Sequence, residues 1–258
     1  MLEKEFKLLR ELASNLTEAT TSHALLPENF DILPGNNSRP YLCTPVQKRN
    51  DYINGVFLPS TLHLSSLIVT QTPLPDTVAD FWRLVYDHDC FTIVCLDDAQ
   101  ETAGMYPEQN KVMKKGPFSV VQVEADSNRE FYMEKKLTLA HGEQNSEKSV
   151  TLFCLQTLDM LTNTETLHEL VSRVDKIISC ADHKVLVHCH DGAGASGVFC
   201  SVLNIITGLK LDRTVDIFLT IRELQRVRPQ FIQTLDQFKL CYNMVKEYNR
   251  DSNVYGNL

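Results

Sequence analysis

The sequence lacks any CxxC pair, although it contains 8 cysteines among its 258 residues. Cysteine pairs at that spacing are typical of structural zinc sites and of redox dithiols, so their absence argues against both. Most of the cysteines lie in apolar stretches, such as Cys95 in FTIVCL and Cys200 in GVFCSV. We therefore expect buried, reduced thiols, and the sequence predicts neither a metal ion nor another cofactor.

The sequence is also short of positive charge and of long hydrophobic runs. It has 25 basic and 33 acidic residues and a net charge of −8, so its surface should repel nucleic acids and anionic lipids. The most apolar stretch, residues 198–209, is about half the length of a membrane-spanning helix and contains Ser201 and Asn204. The charged start lacks the apolar stretch of a secretion signal. We therefore expect a cytoplasmic chain without direct membrane insertion and without a nucleic-acid partner.

The pattern of apolar residues predicts one α/β domain over residues 1–250, followed by a frayed tail over 251–258. Leu2, Phe6 and Leu9 recur at helical spacing and predict an amphipathic helix in residues 1–16. Strands interleaved with helices, without an internal repeat, favour a mixed sheet flanked by helices. The predicted strands cover 52–58, 65–71, 91–96, 118–123, 130–139, 149–155 and 185–188, and the later helices cover 76–87, 166–180, 215–227, 234–248 and a segment that begins near 196.

The last of these strands carries the chemistry. It runs into Cys189, a glycine-containing turn and a helix that begins near Ser196. This order places backbone N–H groups and the positive end of a helix around one point above the sulfur, which is an arrangement that binds anions. The same field stabilises a thiolate, so Cys189 is the candidate nucleophile with a lowered pKa, and Ser196 could donate a hydrogen bond to the sulfur. The alternative is that Cys189 serves packing alone.

Residues 187–197, VHCHDGAGASG, resemble the signature loop HC-x5-R-[ST]-G of the protein tyrosine phosphatases. Four further segments resemble family motifs in the family's order: NDYIN (50–54), VTQTPLPDTVADFW (69–82), GPFSV (116–120) and QTLDQ (233–237). The resemblance covers nearly the whole chain and is strongest to the second cytoplasmic domain of tandem receptor phosphatases. It implies a single domain with a highly twisted mixed sheet flanked by helices, and a cysteine loop between a strand and a helix.

The resemblance also marks where the chain departs from a working enzyme. It implies a phosphate loop that consists of His188, Cys189, His190, Asp191, Gly192, Ala193, Gly194 and Ala195. Ala195 stands where the family has an arginine that grips two phosphate oxygens, a loss worth roughly 2–5 kcal/mol. Asp191 brings a negative charge toward an incoming phosphate, unless its side chain points into solvent. Arg222 or Arg226 reaching over Cys189 would restore the missing clamp.

Other catalytic parts of the family are also altered. No WPD segment occurs, the single tryptophan is Trp82, and Asp159 is the nearest acid to the expected general acid, about one position out of register. Its alternative role is a solvated loop carboxylate. Residues 26–29 (LPEN) align with KNRY, which puts Asn29 in place of a tyrosine that stacks on the substrate ring. Gln233 and Gln237 match the glutamines that position the hydrolytic water.

Three functions are open at this point. The first is a catalytically silent phosphatase-like domain that binds protein partners, such as an adjacent catalytic phosphatase domain, within the intracellular part of a plasma-membrane receptor. The second is a phosphatase with residual cysteine-dependent hydrolysis of phosphotyrosine. The third is a redox sensor that uses Cys189, because a thiolate at a helix end is open to oxidation.

Overall fold

The computed structural model describes residues 1–16, 32–61, 67–98, 102–124, 126–142, 146–156, 164–180 and 184–255. Its helices are α1 (Leu2–Ser14), α2 (Val78–Asp87), α3 (Thr164–Cys180), α4 (Gly194–Asp212), α5 (Ile217–Val227) and α6 (Leu235–Tyr255), with short 3-10 helices at Asn36–Ser38 and Pro75–Thr77. Its strands are β1 (Gly55–Leu58), β2 (Leu67–Gln71), β3 (Thr92–Cys95), β4 (Val112–Lys115), β5 (Phe118–Gln122), β6 (Ser127–Asn128), β7 (Tyr132–His141), β8 (Ser146–Leu155) and β9 (Val185–Cys189). Strands β4 and β6 lie outside the segments predicted to be strands, and α6 extends through residues 251–255 of the predicted tail.

The strands form one mixed sheet, with the order β1-β2-β9-β3-β8-β7-β5-β4 and with β6 paired to β7. Strand β9 lies between β2 and β3 and is parallel to both. The pairs β3–β8 are parallel and β7–β8 antiparallel, which makes the sheet mixed. The predicted α/β class, with a mixed sheet flanked by helices, is confirmed.

Two hydrophobic clusters cover the two faces of this sheet, because successive side chains of a strand point to opposite sides. Val185 and Val187 of β9 belong to the cluster that also contains residues of α1 and α3 to α6. Leu186 belongs to the other cluster, together with Phe81 and Trp82 of α2. All five residues of β9 are buried, as is usual for a parallel strand covered on both faces. Cys189 therefore sits at the carboxyl end of a central strand, where ligand sites of α/β sheets form.

Helix α4 is the main core helix beside β9. Among the described residues it is long and apolar enough to cross a membrane by length and composition alone, so the expectation that no segment reaches that length is wrong here. Most of its length is nevertheless buried inside the fold, and the buried core helix of a soluble protein meets the same criterion. Asn204, within α4, is used structurally: its side-chain amide donates to Cys200 O at 2.9 Å and its Oδ1 accepts from Thr61 N at 2.8 Å.

Gly197 explains why α4 can approach the segment that follows α5. A Cβ atom at this position would lie 2.9 Å from Phe231 Cγ and 3.1 Å from Phe231 Cα. Phe231 is fully buried, so neither its ring nor its backbone can move aside easily. The absence of a side chain at Gly197 thus sets the distance between the first turns of α4 and this segment.

We expect Gly197→Ala to destabilise the fold by about 1–3 kcal/mol, because the added methyl group overpacks against Phe231. Gly208→Ala, in the same helix, is the matched control: its Cβ would meet Val215 Cγ2 at 3.5 Å, an ordinary contact. The control should be neutral or more stable by up to about 1 kcal/mol, since alanine is the better helix former. Urea unfolding of both variants measures the difference, and equal stabilities would contradict the packing argument.

Candidate active site at the Cys189 loop

The loop after β9 is a tight turn that leads directly into α4. The backbone N–H of Gly192 donates to Cys189 O at 3.0 Å, Ala193 is the N-cap residue, and α4 begins at Gly194. The backbone N–H of Ser196 donates to Cys189 Sγ at 3.4 Å. The sulfur thus lies against the first turn of the helix, and the Cys189 side chain is buried.

Asp191 turns inward and occupies the amide groups of this turn. Its Oδ1 accepts hydrogen bonds from the backbone N–H groups of Ala193 and Gly194, both at 2.8 Å, and Cys189 Sγ donates to the same oxygen at 3.4 Å. Burial opposes the charge of Asp191, but the hydrogen bonds from Gly194 and Ala193 outweigh it and lower the pKa of the carboxyl. The solvent-facing orientation of Asp191 is therefore not the one adopted, whereas the neighbouring His190 side chain is exposed.

Cys189 is a protonated thiol at neutral pH. Its pKa is raised to about 11, mainly by burial and also by the negative charges of Asp191 and Asp97, against the lowering effect of Ser196. The expectation of a lowered pKa is wrong for this structure, because the helix field acts on a sulfur that is desolvated and that has a carboxylate as its neighbour. The Ser196 hydroxyl is buried close to the sulfur, and both this hydroxyl and the backbone N–H of Ser196 act to lower the pKa of Cys189.

Arg228 joins the loop to Asn54 by hydrogen bonds. Its guanidinium is almost completely buried, and it donates from Nη1 to Gly192 O at 2.9 Å and from Nη2 to Asn54 Oδ1 at 3.1 Å. Gly192 has φ +65°, and a Cβ there would lie 2.7 Å from Gln71 N and 2.8 Å from Arg228 Nη1, so only glycine fits. Sequence reasoning missed Arg228. The signal was the RP dipeptide at residues 228–229, which ends α5 and holds Arg228 in an extended conformation.

No arginine of the described residues is recorded in hydrogen-bonding contact with Cys189 or Asp191. Arg226 pairs with Glu223 at 3.2 Å on the surface, and Nη1 of Arg222 is buried without a hydrogen-bond partner among the described residues. The two Nη groups of Arg228 are already taken by protein acceptors. Ala195, in the position of the family's arginine, packs with its methyl group against the core cluster. In the part of the chain that the structure describes, the guanidinium bonded to the loop is thus that of Arg228, which binds a backbone carbonyl oxygen.

His188 faces the opposite side of the sheet from Cys189 and belongs to a buried polar network. Its Nδ1 contacts Thr72 Oγ1 at 2.7 Å and its Nε2 contacts Tyr106 OH at 2.5 Å. Thr72 also donates to Asp97 Oδ2, and Asp97 Oδ1 accepts from the backbone N–H of His190 at 2.8 Å. Asp97 was another residue that sequence reasoning missed, because its contact with the loop spans 93 residues.

The two glutamines expected near the reaction centre have different surroundings. Gln237 Oε1 accepts from Gln233 N at 2.7 Å and from Thr234 N at 3.2 Å, while Thr234 Oγ1 accepts from Gln237 N at 3.2 Å. This reciprocal pair is a capping box at the start of α6, so Gln237 is engaged in holding the helix end. The Gln233 side chain is exposed. Asp159 and residues 26–29 lie outside the described residues.

A cavity of about 550 Å³ lies between residues 47–54 and residues 70–81. Asn54 and Gln71 line it, and they are hydrogen-bonded to each other at 2.6 Å. Asn54 also accepts from Arg228, so the cavity adjoins the rear of the loop. Cys189 is not among its lining residues, and the cavity therefore offers no space above the sulfur.

Comparison with known proteins gives a consistent likeness over the whole chain. The sequence profile named Protein-tyrosine phosphatase matches residues 28–247. The chain is 28% identical to Receptor-type tyrosine-protein phosphatase U of Gallus gallus over 96% of its length, and 26% identical to Receptor-type tyrosine-protein phosphatase alpha of Homo sapiens over 99%. It is also 28% identical to Tyrosine-protein phosphatase Lar of Drosophila melanogaster over 99%. It spans only 18%, 33% and 13% of these three proteins.

We expect Arg228→Met to destabilise the fold by about 1–3 kcal/mol or more, because it leaves Gly192 O and Asn54 Oδ1 buried without their donor. Arg226→Met is the matched control, two residues away in an exposed ion pair, and should change stability by no more than about 0.5 kcal/mol. Urea unfolding compares the two. A small effect at both positions would mean that Arg228 does not hold the loop.

The raised pKa of Cys189 predicts a distinct pH profile for alkylation. Between about pH 6 and pH 9 the rate of reaction with iodoacetamide at Cys189 should rise about tenfold per pH unit without reaching a plateau, because only the thiolate reacts. Asp191→Ala removes a negative neighbour and should shift the profile to lower pH. Mass spectrometry of the Cys189 peptide gives the rates, and a plateau near neutral pH would contradict the raised pKa.

Proposed function

We propose that this chain, which belongs to the protein-tyrosine phosphatase family, is a catalytically silent domain of that family that serves as a regulatory or protein-binding module of a larger receptor-type phosphatase. The proposal has two parts. The first is that the Cys189 loop does not hydrolyse phosphate esters at a useful rate. The second is that the fold is used for contact with another protein domain.

The observation that carries the first part is the position of the Asp191 carboxylate. The backbone N–H groups of Ala193 and Gly194, at the positive end of α4, are the donors that would hold an anion, and Asp191 already takes both of them. An incoming phosphate would have to displace a group that is tethered within the same turn and therefore rebinds without any cost of association. The Asp191 carboxylate and a phosphate bound next to it would also repel each other in a partly dry site.

The missing arginine adds to this effect. A phosphate held by the family's loop has its charge balanced by a bidentate guanidinium, which Ala195 cannot supply. In this chain the buried cation near the loop is Arg228, and its Nη1 binds the Gly192 carbonyl oxygen instead. The charges of Asp191 and Asp97 both raise the pKa of Cys189, so these carboxylates favour a neutral thiol over a dianionic ligand.

The protonation state of Cys189 works in the same direction. With a pKa of about 11, only about one molecule in ten thousand carries the thiolate at pH 7. The thiolate is the nucleophilic form, so the rate of attack on phosphorus falls by about the same factor. This argues against residual hydrolysis as the main activity. It also argues against Cys189 as a redox sensor that reacts first with an oxidant, because that step needs an accessible thiolate.

The second part of the proposal rests on context. Two of the three relatives named above are receptor-type phosphatases, and this chain spans at most 33% of the length of those three. We infer that the domain lies on the cytoplasmic side of a receptor and that its partner is an adjacent catalytic phosphatase domain. A pull-down with that neighbouring domain tests this part alone, since a failure to bind would leave the silence of the loop untouched.

The anion site of the loop can be tested with tungstate, a non-covalent mimic of phosphate. Ala195→Arg alone should not bind tungstate measurably, because Asp191 still occupies the amides. The double variant Asp191→Ala/Ala195→Arg should bind about 30-fold more tightly or better, as expected from a gain of roughly 2–5 kcal/mol. Asp236→Ala/Ala195→Arg is the matched control, which removes one exposed carboxylate that pairs with Lys239 and should behave like Ala195→Arg. Equal binding by all three variants would show that Asp191 does not block the site.

Turnover of an activated aryl phosphate completes this test. The unmodified protein and Cys189→Ser should be indistinguishable, and Ala195→Arg alone should not restore normal activity. Turnover by the unmodified protein that Cys189→Ser abolishes would establish residual phosphatase activity and reject the proposal of a silent loop.

A further inference from the structure

Cys95 and Cys154 lie directly opposite each other on neighbouring parallel strands. The register of β3 and β8 pairs Thr92 with Thr151 and continues to Cys95 with Cys154. Residues paired in this way point to the same face, and both cysteines pack into the cluster that covers the α2 side of the sheet. This is the opposite face from that of Cys189, which packs in the other cluster.

The pairing meets one geometric condition for a disulfide. Adjacent strands of a sheet are about 4.8 Å apart, and this lies inside the range of about 4.4–6.8 Å between the Cα atoms of bonded cysteines. The two side chains are also close enough to interact, since Cys154 is the largest cause of the raised pKa of Cys95.

The two thiols differ in accessibility. Cys95 is 1% exposed, whereas Cys154 is half-buried and lies one residue before the end of β8. The hydrogen bond with Cys154 and then burial hold the pKa of Cys95 well above its usual value. Unlike Cys154, Cys90 and Cys241 are completely buried, and burial raises the pKa of each thiol to about 12. Cys154 is therefore the member of the pair that a small oxidant can reach, and Cys95 is the thiol positioned to react next.

We propose that Cys95 and Cys154 are a redox pair that a hydroperoxide converts reversibly into an intramolecular disulfide. The site is independent of the Cys189 loop and does not rest on whether that loop is catalytically silent. It also differs from a CxxC dithiol, because strand register rather than sequence spacing brings the two sulfur atoms together. Such disulfides in proteins of a reducing compartment are typically transient and serve redox sensing.

The chemistry balances with hydrogen peroxide as the oxidant. Cys154 Sγ attacks one peroxide oxygen, the O–O bond breaks, and the thiol proton leaves with the second oxygen as water, so that Cys154 becomes a sulfenic acid. Cys95 Sγ then attacks the sulfenic sulfur, the S–S bond forms and the S–O bond breaks. The departing hydroxide takes the proton of Cys95 and leaves as a second water. Two thiols and one peroxide thus give one disulfide and two waters.

Oxidation of this pair would reach the Cys189 loop through Asp97. The Cys95 thiol donates to the backbone O of Asp97 at 3.7 Å. The side chain of Asp97 accepts from Thr72 and from the backbone N–H of His190 in the loop. When the Cys95 thiol becomes part of a disulfide, it loses its hydrogen on sulfur, so its hydrogen bond to Asp97 is lost.

The experiment uses the whole chain in a Cys43→Ser background, because Cys43 is exposed and would react first. The reduced protein is treated with hydrogen peroxide under native conditions, free thiols are blocked with iodoacetamide, and peptides are analysed by mass spectrometry without reduction. We expect a cross-linked peptide joining Cys95 and Cys154, with the loss of two hydrogen atoms and complete reversal by dithiothreitol. The cross-link should also form in Cys189→Ser, since Cys189 lies on the other face.

Two variants separate the steps. In Cys95→Ala, Cys154 should accumulate as a sulfenic acid that dimedone traps, and in Cys154→Ser, Cys95 should stay unmodified at the same dose of peroxide. The proposal is overturned if Cys154 is oxidised without a link to Cys95 in the folded protein, or if the link needs Cys189. It is equally overturned if Cys154 resists a dose that oxidises Cys43 in the unmodified protein, or if the link forms only after the circular dichroism of the native fold is lost.

Discussion

The conformation and charge of the Cys189 loop depend on one interaction: the Asp191 carboxylate accepts hydrogen bonds from the backbone N–H groups of Ala193 and Gly194. The first amides of a helix have no partner within the helix, and a buried amide left without one costs about 1–3 kcal/mol. In a phosphate-binding loop an external anion meets this need. Here Asp191 meets it from within the turn, so the loop is complete without a ligand.

That contact also sets the charge balance around the sulfur. The Asp191 carboxylate accepts the hydrogen of the Cys189 thiol, and Asp97 adds a second negative group nearby. Arg228 is the buried counter-charge, and although burial lowers its pKa to about 10, it remains protonated at neutral pH. Because its Nη groups point to the Gly192 carbonyl oxygen and to Asn54, it offsets one of these negative charges without offering a donor to an anion at the sulfur. Two carboxylates against one guanidinium leave the resting loop with a net negative charge, which a bound dianion would increase.

The strand, turn and helix around Cys189 could be predicted from the sequence, because β-branched residues, glycines and an apolar helix follow one another within a short segment. The direction of Asp191 could not, since a carboxylate two residues after a strand can face either solvent or the helix amides. Asp97 and Arg228 act over 93 and 36 residues, beyond the reach of local patterns. The pKa of Cys189 was predicted in the wrong direction because burial, which the sequence does not show, outweighs the helix field.

The signature residues that this chain keeps are those whose partners belong to the chain itself. Gly192 leaves room for Gln71 and Arg228, Gly197 leaves room for Phe231, and His188 bridges Thr72 and Tyr106. The arginine that is missing at Ala195 would have had phosphate as its partner. A loop that folded around a substrate would need that arginine, whereas a loop that must only hold its shape needs the glycines, the histidine and an internal anion. The pattern of kept and lost residues thus fits a scaffold whose value lies in the fold itself.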